Sequence, residues 1–242
     1  MRALQGRSMA PLAFESSSAS EQMTSSTNTI ARPRVILASA SPSRRRLLES
    51  VGLNHEVIVS GVDEELDEYA ELSPSELVLA LAIVKAHTVA KVFQESNPTG
   101  LGAIVIGCDS TFEFEGRSLG KPVTKENAIA RCKEIRGKSG ILHTGHCIID
   151  TARGIEISDL ASTTVHFTDM SDEEIASYVE TEEPLQVAGG FTLDGLSAPF
   201  IYALEGEPSN VIGLSLPLVR KAFASLGYQW FDFSSPKLKV SP

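Results

Sequence analysis

The sequence predicts an α/β domain, a mixed β-sheet with flanking helices arranged in two lobes. Three observations lead there. Short apolar runs rich in β-branched residues, "RVILAS" (34–39) and "GAIVIGCDS" (102–110), have the length and composition of buried strands. Segments of helical periodicity lie between such runs, each with a capping residue before it and several with a glycine after it. The two kinds of segment alternate without the regular strand–helix–strand rhythm of a purely parallel sheet.

The elements follow in order. Residues 1–30, including "FESSSASEQMTSSTNT", are rich in Ser and Thr and poor in large apolar side chains, so a disordered extension is expected. They lack the continuous apolar stretch of a signal peptide. Residues 31–235 form the expected single domain, and 236–242 a second short tail. After "RVILAS", Ser41 is a good N-cap and Pro42 suits the first helical position; the helix carries Leu47, Leu48 and Val51 and stops at Gly52. A strand through Val57 and Val59 leads to the acidic loop "GVDEELDE". "SPSE" (73–76) is a capping box, followed by a stripe of Leu77, Leu81, Val84, Thr88 and Val92. "GAIVIGCDS" is a strand ending at Asp109, and "TFEFEGRSLGKP" a hairpin turning at Glu115-Gly116. Thr124 caps a helix that turns Ile129, Cys132 and Ile135 inward and stops at Gly137. "ILHTGHCIID" and "STTVHFTD" pair as a long hairpin around "TARGIE". A helix capped by Ser171, a strand "PFIYALEG" and a last helix ending at Gly227 complete the chain.

Composition narrows the function classes. The 242 residues are 42% hydrophobic and 21% charged, ordinary for a globular chain, with a net charge of −10 that excludes a broad nucleic-acid surface. Cys108, Cys132 and Cys147 form no CxxC pair; an odd, sparse set fits a reducing compartment, and a cytoplasmic location is expected. No apolar run is long enough to span a bilayer.

Against that acidic background, Arg44, Arg45 and Arg46 crowd the first turn of a helix, where the dipole disfavours cations and welcomes anions. Either the three reach into water, or the turn holds something strongly anionic. Backbone N–H groups at a helix start, the hydroxyls of Ser39, Ser41 and Ser43, and an arginine together make a phosphate cradle. The spacing matches neither GxxxxGK[ST] nor GxGxxG. Asp109, directly after a buried strand, is either a rigidly held carboxylate for Mg²⁺ or a water proton, or the start of a turn. Most of the acidic loop reads as a solvated face, with one residue able to reach a site. Lys85 borders its apolar stripe and either aims into a cleft or snorkels to water; Lys121, before Pro122, is extended at a strand end. His143 and His146 in "HTGH" look like a metal pair, but on a strand i and i+3 point to opposite faces, so a zinc site is rejected. The glycine-dense "VAGGFTLDGLSAPF", which carries Asp194, lets backbone approach a ligand or makes a tight corner.

Eight stretches in this order resemble the Maf family, the nucleoside triphosphate pyrophosphatases also called septum-formation inhibitors. They are "ILASASPSRRRLLESVGL", "VDEE", "LALAIVKA", "VIGCDS", "LGKPVTKENA", "LHTG", "TTVHFTDMSDEEIASYVETEEPLQVAGGFTLDG" and "PSNVIGLSLPLV", spanning about residues 34–227. The resemblance implies a Maf/ITPase-like mixed sheet with two lobes around a nucleotide cleft. It implies hydrolysis of a nucleoside triphosphate to the monophosphate and pyrophosphate, with a divalent cation, Mg²⁺ or Mn²⁺, and makes a homodimer an expectation. It assigns Asp109 as proton acceptor or metal ligand, Glu64 as metal ligand, Arg44 and Lys121 to the phosphates, Arg46 as a variable neighbour, and Lys85, Ser39, Ser41, Ser43, Ser110 and Asp194 to substrate binding. The alternative reading, a nucleotide-binding regulator of septum formation with incidental turnover, is disfavoured because Asp109, Glu64, Lys85 and Lys121 are all in place. Three positions match neither known branch of the family. The pyrimidine branch has Arg, Thr and Gln where this chain has Ser43, Ser110 and Asp194; the 7-methyl-GTP branch has Trp, Gln and Glu. An ionised aspartate only accepts hydrogen bonds, which favours a guanine edge with its two donors. Ser43, however, cannot stack as tryptophan does, so a pyrimidine substrate stays open.

Overall fold

The structure is a computed structural model that describes residues 32–63, 69–98 and 100–234. The expectations about the two tails and about Glu64 fall outside these residues.

One seven-stranded mixed sheet organises the domain, in the order β2-β1-β3-β5-β6-β7, with β4 paired to β3. The strands are β1 (Arg34–Ala38), β2 (Glu56–Val57), β3 (Ala103–Phe114), β4 (Arg117–Leu119), β5 (Ser139–Asp150), β6 (Ile155–Phe167) and β7 (Ile201–Glu205). β1 runs parallel to β2 and β3, while β3, β5, β6 and β7 form an antiparallel meander. The helices are α1 (Pro42–Ser50), α2 (Pro74–Ser96), α3 (Lys125–Ile135), α4 (Asp172–Glu180), α5 (Pro208–Ile212) and α6 (Leu216–Ser225). The caps read from sequence are in place: Ser41, Ser73, Thr124 and Ser171 each accept a backbone N–H at the third helical position. The β3–β4 hairpin turns at Glu115 and Gly116, both at positive φ, 49° and 76°, as a two-residue turn requires.

Side-chain alternation along β1, β3 and β5 feeds two cores. Val35, Leu37, Ile104, Ile106 and Ile148 pack on one face with Leu48 of α1 and Val219 and Phe223 of α6. Ile36, Val105, Cys147 and Ile149 pack on the other with Ala82, Val89 and Phe93 of α2. The cysteines are buried and unpaired, and burial pushes the Cys108 thiol up to about 11, so they are inert core residues.

Three expectations change. The buried stripe of α2 is Val78, Leu81/Ala82, Lys85/Ala86, Val89/Ala90 and Phe93, while Val92 is exposed. Small alanines carry this face, because α2 lies very close to the sheet. A Cβ on Gly107 would stand 2.3 Å from the Ala82 carbonyl oxygen, and one on Gly145 2.2 Å from that of Val78. Only glycine on these two adjacent strands permits the approach. Second, the strand after Gly52 contracts to Glu56–Val57. Third, β3 does not end at Asp109 but continues through it to Phe114.

That continuation makes an opening. β3 pairs with β1 as far as Ala38↔Gly107, and on the same side with β4 only from Phe112↔Leu119. Between them, residues 108–111 have no ladder partner on that edge among the described residues, while β5 pairs them on the other. No helix among the described residues is long and apolar enough to cross a membrane.

Candidate active site

The three arginines of α1 part company. Arg45 pairs with Glu49 one turn on, at the surface, at 2.8 Å. Arg44 turns inward to the open edge of β3 and is 8% exposed. Its Nε donates to the Gly213 carbonyl at 2.6 Å, Nη1 to Ser39 Oγ and the Cys108 carbonyl at 3.0 Å each, and Nη2 to Ser110 Oγ at 2.7 Å. One of its five N–H groups, on Nη2, has no acceptor among the described residues. Every acceptor is neutral: no carboxylate among the described residues lies within ion-pair distance of this guanidinium. Buried arginines are ordinarily paired with an anion, so among the described residues this cation's charge is unanswered. Ser41 acts as the N-cap of α1, its Oγ receiving Arg44 N at 3.4 Å, and its own N–H donates to Ser39 Oγ at 3.2 Å. Ser110 is further fixed by Thr144 Oγ1 at 2.9 Å.

Alternation puts Asp109 on the opposite face of β3 from Ser110. There the close approach of α2 brings Lys85 to it, Nζ donating to Asp109 Oδ1 at 2.6 Å. The side chains are 8% and 14% exposed. Lys85 thus sits in the packed face of α2 rather than at its border, with its ammonium delivered to a strand carboxylate instead of water. Arg44–Ser110 and Lys85–Asp109 flank the same unpaired stretch of β3 from its two faces.

Lys121 lies two residues beyond β4, exposed, on the segment that leaves the other end of this stretch. The segment is tied down around it. The Gly120 carbonyl accepts Gly189 N at 3.2 Å and Arg131 Nη1 at 3.0 Å, and Val123 N donates to the Leu185 carbonyl at 3.0 Å. Val123 holds φ 68°, a strained value for a β-branched residue. The glycine-dense stretch is therefore a tight corner: a Cβ on Gly189 would lie 2.9 Å from Phe112 Cβ. Asp194, beyond that corner, meets the start of α1, where Arg46 Nη2 stands 3.6 Å from its Oδ2 and donates to Ser43 Oγ at 3.1 Å.

"HTGH" divides as expected. His143 bridges Glu113 and Ser162 at 2.8 Å each, whereas His146 faces the other core. No cluster of three His, Cys, Asp or Glu suited to a metal occurs among the described residues. His146 is a contributor that sequence reasoning missed. It is fully buried, its Nε2 accepts Ser215 N at the cap of α6 at 2.9 Å, and Nδ1 has no partner among the described residues. That bond assigns the proton to Nδ1. Burial, with the Arg44 charge nearby, pushes the imidazole down to about 4. An unfolded histidine titrates near 6.5, so between these values the unfolded chain binds the extra proton and stability falls as pH falls. The full loss below about pH 4 is on the order of 3 kcal/mol. His146→Gln should flatten the acid limb of the unfolding free energy between pH 6.5 and 4 in urea titrations; an unchanged slope would reject this assignment.

The fold and site define a class: α/β proteins that present a helix-start arginine and an acid–lysine pair at an opened sheet edge, suited to an anionic ligand. Residues 34–226 match the family described as Maf-like protein. The chain belongs to the Maf family. It is 54% identical over 196 residues to a protein of Streptomyces coelicolor named nucleoside triphosphate pyrophosphatase, covering 81% of this chain and 92% of that one. A Salinispora tropica protein of the same name is 49% identical over 193 residues, 80% and 84% of the two chains. One from Thermosynechococcus vestitus is 46% identical over 202 residues, 84% and 98%.

Proposed function

We propose that this chain hydrolyses a nucleoside triphosphate, canonical or modified, to the nucleoside monophosphate and pyrophosphate. The observation that carries the proposal is Arg44, a buried guanidinium whose acceptors among the described residues are all neutral and leave one N–H to spare, for which a phosphate oxygen would supply an anion. The names of the relatives support the same reaction.

In this reading the triphosphate lies along the unpaired edge of β3, in a cleft between the lobes. The hydroxyls of Ser39, Ser41, Ser43 and Ser110 and the start of α1 line the phosphates. Water attacks the α-phosphorus: the new P–O bond forms as the bond to the bridging oxygen breaks, and pyrophosphate leaves with the electron pair. Asp109 accepts or orients the water proton, and Lys85, donating to its Oδ1, holds that carboxylate in place. Arg44 and the exposed Lys121 offset charge gathering on the leaving pyrophosphate. A divalent cation, Mg²⁺ or Mn²⁺, would be held by Asp109 and Glu64 together with phosphate oxygens. One or two carboxylates plus substrate is the usual manner for Mg²⁺. When bound it would neutralise the triphosphate.

The test is a panel of canonical and modified nucleoside triphosphates with Mg²⁺ or Mn²⁺, assayed for monophosphate and pyrophosphate. Stoichiometric release of the two from at least one member is expected. Release of orthophosphate and diphosphate instead, or nucleotide binding with no turnover on any member, would refute the proposal.

A further inference from the structure

We propose that Thr144 is a positioning residue for the reaction: acting through Ser110, it fixes the corner of the Arg44 guanidinium that carries the spare N–H. The inference rests on the pyrophosphatase reading for what that corner meets, a phosphate oxygen.

The hydrogen count around Ser110 points to Thr144. Ser110 Oγ has three polar neighbours: Arg44 Nη2 at 2.7 Å, Thr144 Oγ1 at 2.9 Å and the Gly213 carbonyl at 3.5 Å. A guanidinium only donates, so Ser110 turns a lone pair to Nη2 and has one hydrogen left for the other two. The Gly213 carbonyl is the poorer acceptor, at the limit of hydrogen-bond length and already taking Arg44 Nε at 2.6 Å. Thr144 therefore takes the Ser110 hydrogen and gives its own to the Asn210 carbonyl at 3.3 Å. The bonds run one way, from Arg44 to Ser110 to Thr144 to Asn210, and each polarises the next.

The far end of this relay is rigid. Asn210 is fully buried; its Nδ2 donates to the Leu142 carbonyl at 3.0 Å and to Thr163 Oγ1 at 3.1 Å, and its backbone N–H to Glu207 Oε2 at 2.8 Å. Thr163 Oγ1 donates in turn to the Glu207 carbonyl at 2.9 Å, so β5, β6 and α5 are joined around Asn210. Thr144 is itself fully buried and pairs with Ser110 across the β3–β5 ladder. Alternation puts it on the face of β5 that carries Leu142 and Ile148, both buried. Valine would fill the same volume there, so packing does not call for the hydroxyl, which is costly to bury unless it is bonded.

Ser110 is the one partner of Nη2 among the described residues; the other three bonds of Arg44 start from Nε and Nη1. Without the Thr144 hydroxyl, Ser110 loses its acceptor and turns toward Gly213, and the guanidinium plane rocks about its Nε–Nη1 side. The spare N–H on Nη2 then loses its direction. A donor aimed in advance at the leaving pyrophosphate acts in the transition state, so its misplacement falls on kcat more than on KM.

The experiment is a double-mutant cycle in the full chain: Thr144→Val, which keeps the shape and removes the hydroxyl, Ser110→Ala, and the two together, with Thr144→Ser as the variant that retains the hydroxyl. kcat and KM are measured on a triphosphate that the wild type cleaves. ¹⁵N-edited NMR spectra follow the Arg44 Nη2 protons, assigned by their disappearance in Arg44→Lys. Thr144→Val should lower kcat by about tenfold or more with KM within about threefold, and Thr144→Ser should keep kcat within about threefold of wild type. The double variant should be no worse than Ser110→Ala, because Thr144 acts through Ser110. The two Nη2 protons, separate in the wild type, should merge in Thr144→Val as rotation about Cζ–Nη2 is freed. An unchanged kcat in Thr144→Val, equal losses in Thr144→Ser and Thr144→Val, or losses that multiply in the double variant overturn the proposal while leaving the pyrophosphatase reading intact. If the wild type cleaves no triphosphate, that reading fails instead, and the spectra decide the relay: Nη2 signals unchanged in Thr144→Val overturn it. Should Thr144→Val not fold, Thr144→Ala takes its place in the same cycle and spectra.

Discussion

Asp109→Asn is expected to lower turnover by about 10²-fold or more, the range typical for removing a general base, while the fold is kept. Asparagine matches the shape of aspartate and still offers an oxygen to Lys85 Nζ, which lies 2.6 Å from Oδ1. It cannot take a proton from water or serve as an anionic ligand. The cost to stability comes from removing the charge that Lys85 Nζ meets on Asp109, since both side chains are nearly enclosed. Circular dichroism and a thermal melt establish that the variant folds; single-turnover pyrophosphate release then measures the chemical step. Near-wild-type turnover in the folded variant would remove Asp109 from the mechanism.

Arg44→Ala has two expected effects from one side chain. Its guanidinium joins β1, α1, β3 and the loop after α5 through Ser39, Cys108, Ser110 and Gly213. Truncation removes the side-chain donor to the Cys108 carbonyl and the shorter of the two to the Gly213 carbonyl, which keeps Ser110 Oγ at 3.5 Å, and the loss of stability is on the order of 2–4 kcal/mol. It also removes the buried cation proposed to face the triphosphate, so kcat/KM is expected to fall by about 10²-fold or more, a few kcal/mol of transition-state stabilisation. Arg44→Lys separates the effects: it retains the charge but a point-like ammonium cannot span four acceptors. It should recover part of the activity and little of the melting temperature. Full activity in Arg44→Ala would mean that the phosphates lie elsewhere.

Local chemistry was the most legible part of the sequence. Ser41-Pro42, the "SPSE" box, Thr124, Ser171 and the Glu115-Gly116 turn are decided within a few residues, and the structure has them where the pattern puts them. α5 was overlooked as an element: it is only five residues long, too short for a periodic signal, though Glu207 before Pro208 is its cap. The stripe of α2 was drawn through its larger apolar residues, whereas the real contact face is set by alanines against Gly107 and Gly145 on two other elements. That is a tertiary fact, and it is also what buries Lys85.

The site was legible as residue types but not as partnerships. A basic helix start predicts an anion, yet nothing local separates Arg44, turned to the sheet, from Arg46, turned to a loop almost 150 residues on. The end of β1 and the start of β4 together open the edge of β3, and no single segment encodes that gap. His146 read as half of a rejected metal pair. Its partnership with Ser215 and its proximity to Arg44 depend on how α6 and α1 dock on one sheet face.

The central claim is that water attacks the α-phosphorus of a triphosphate laid along that edge. Hydrolysis in H₂¹⁸O, with the products separated and analysed by ³¹P NMR or mass spectrometry, tests it most directly. The account predicts one ¹⁸O atom in the nucleoside monophosphate and none in the pyrophosphate. Label in the pyrophosphate, showing attack at the β-phosphorus, or label in orthophosphate released beside a nucleoside diphosphate, would contradict it.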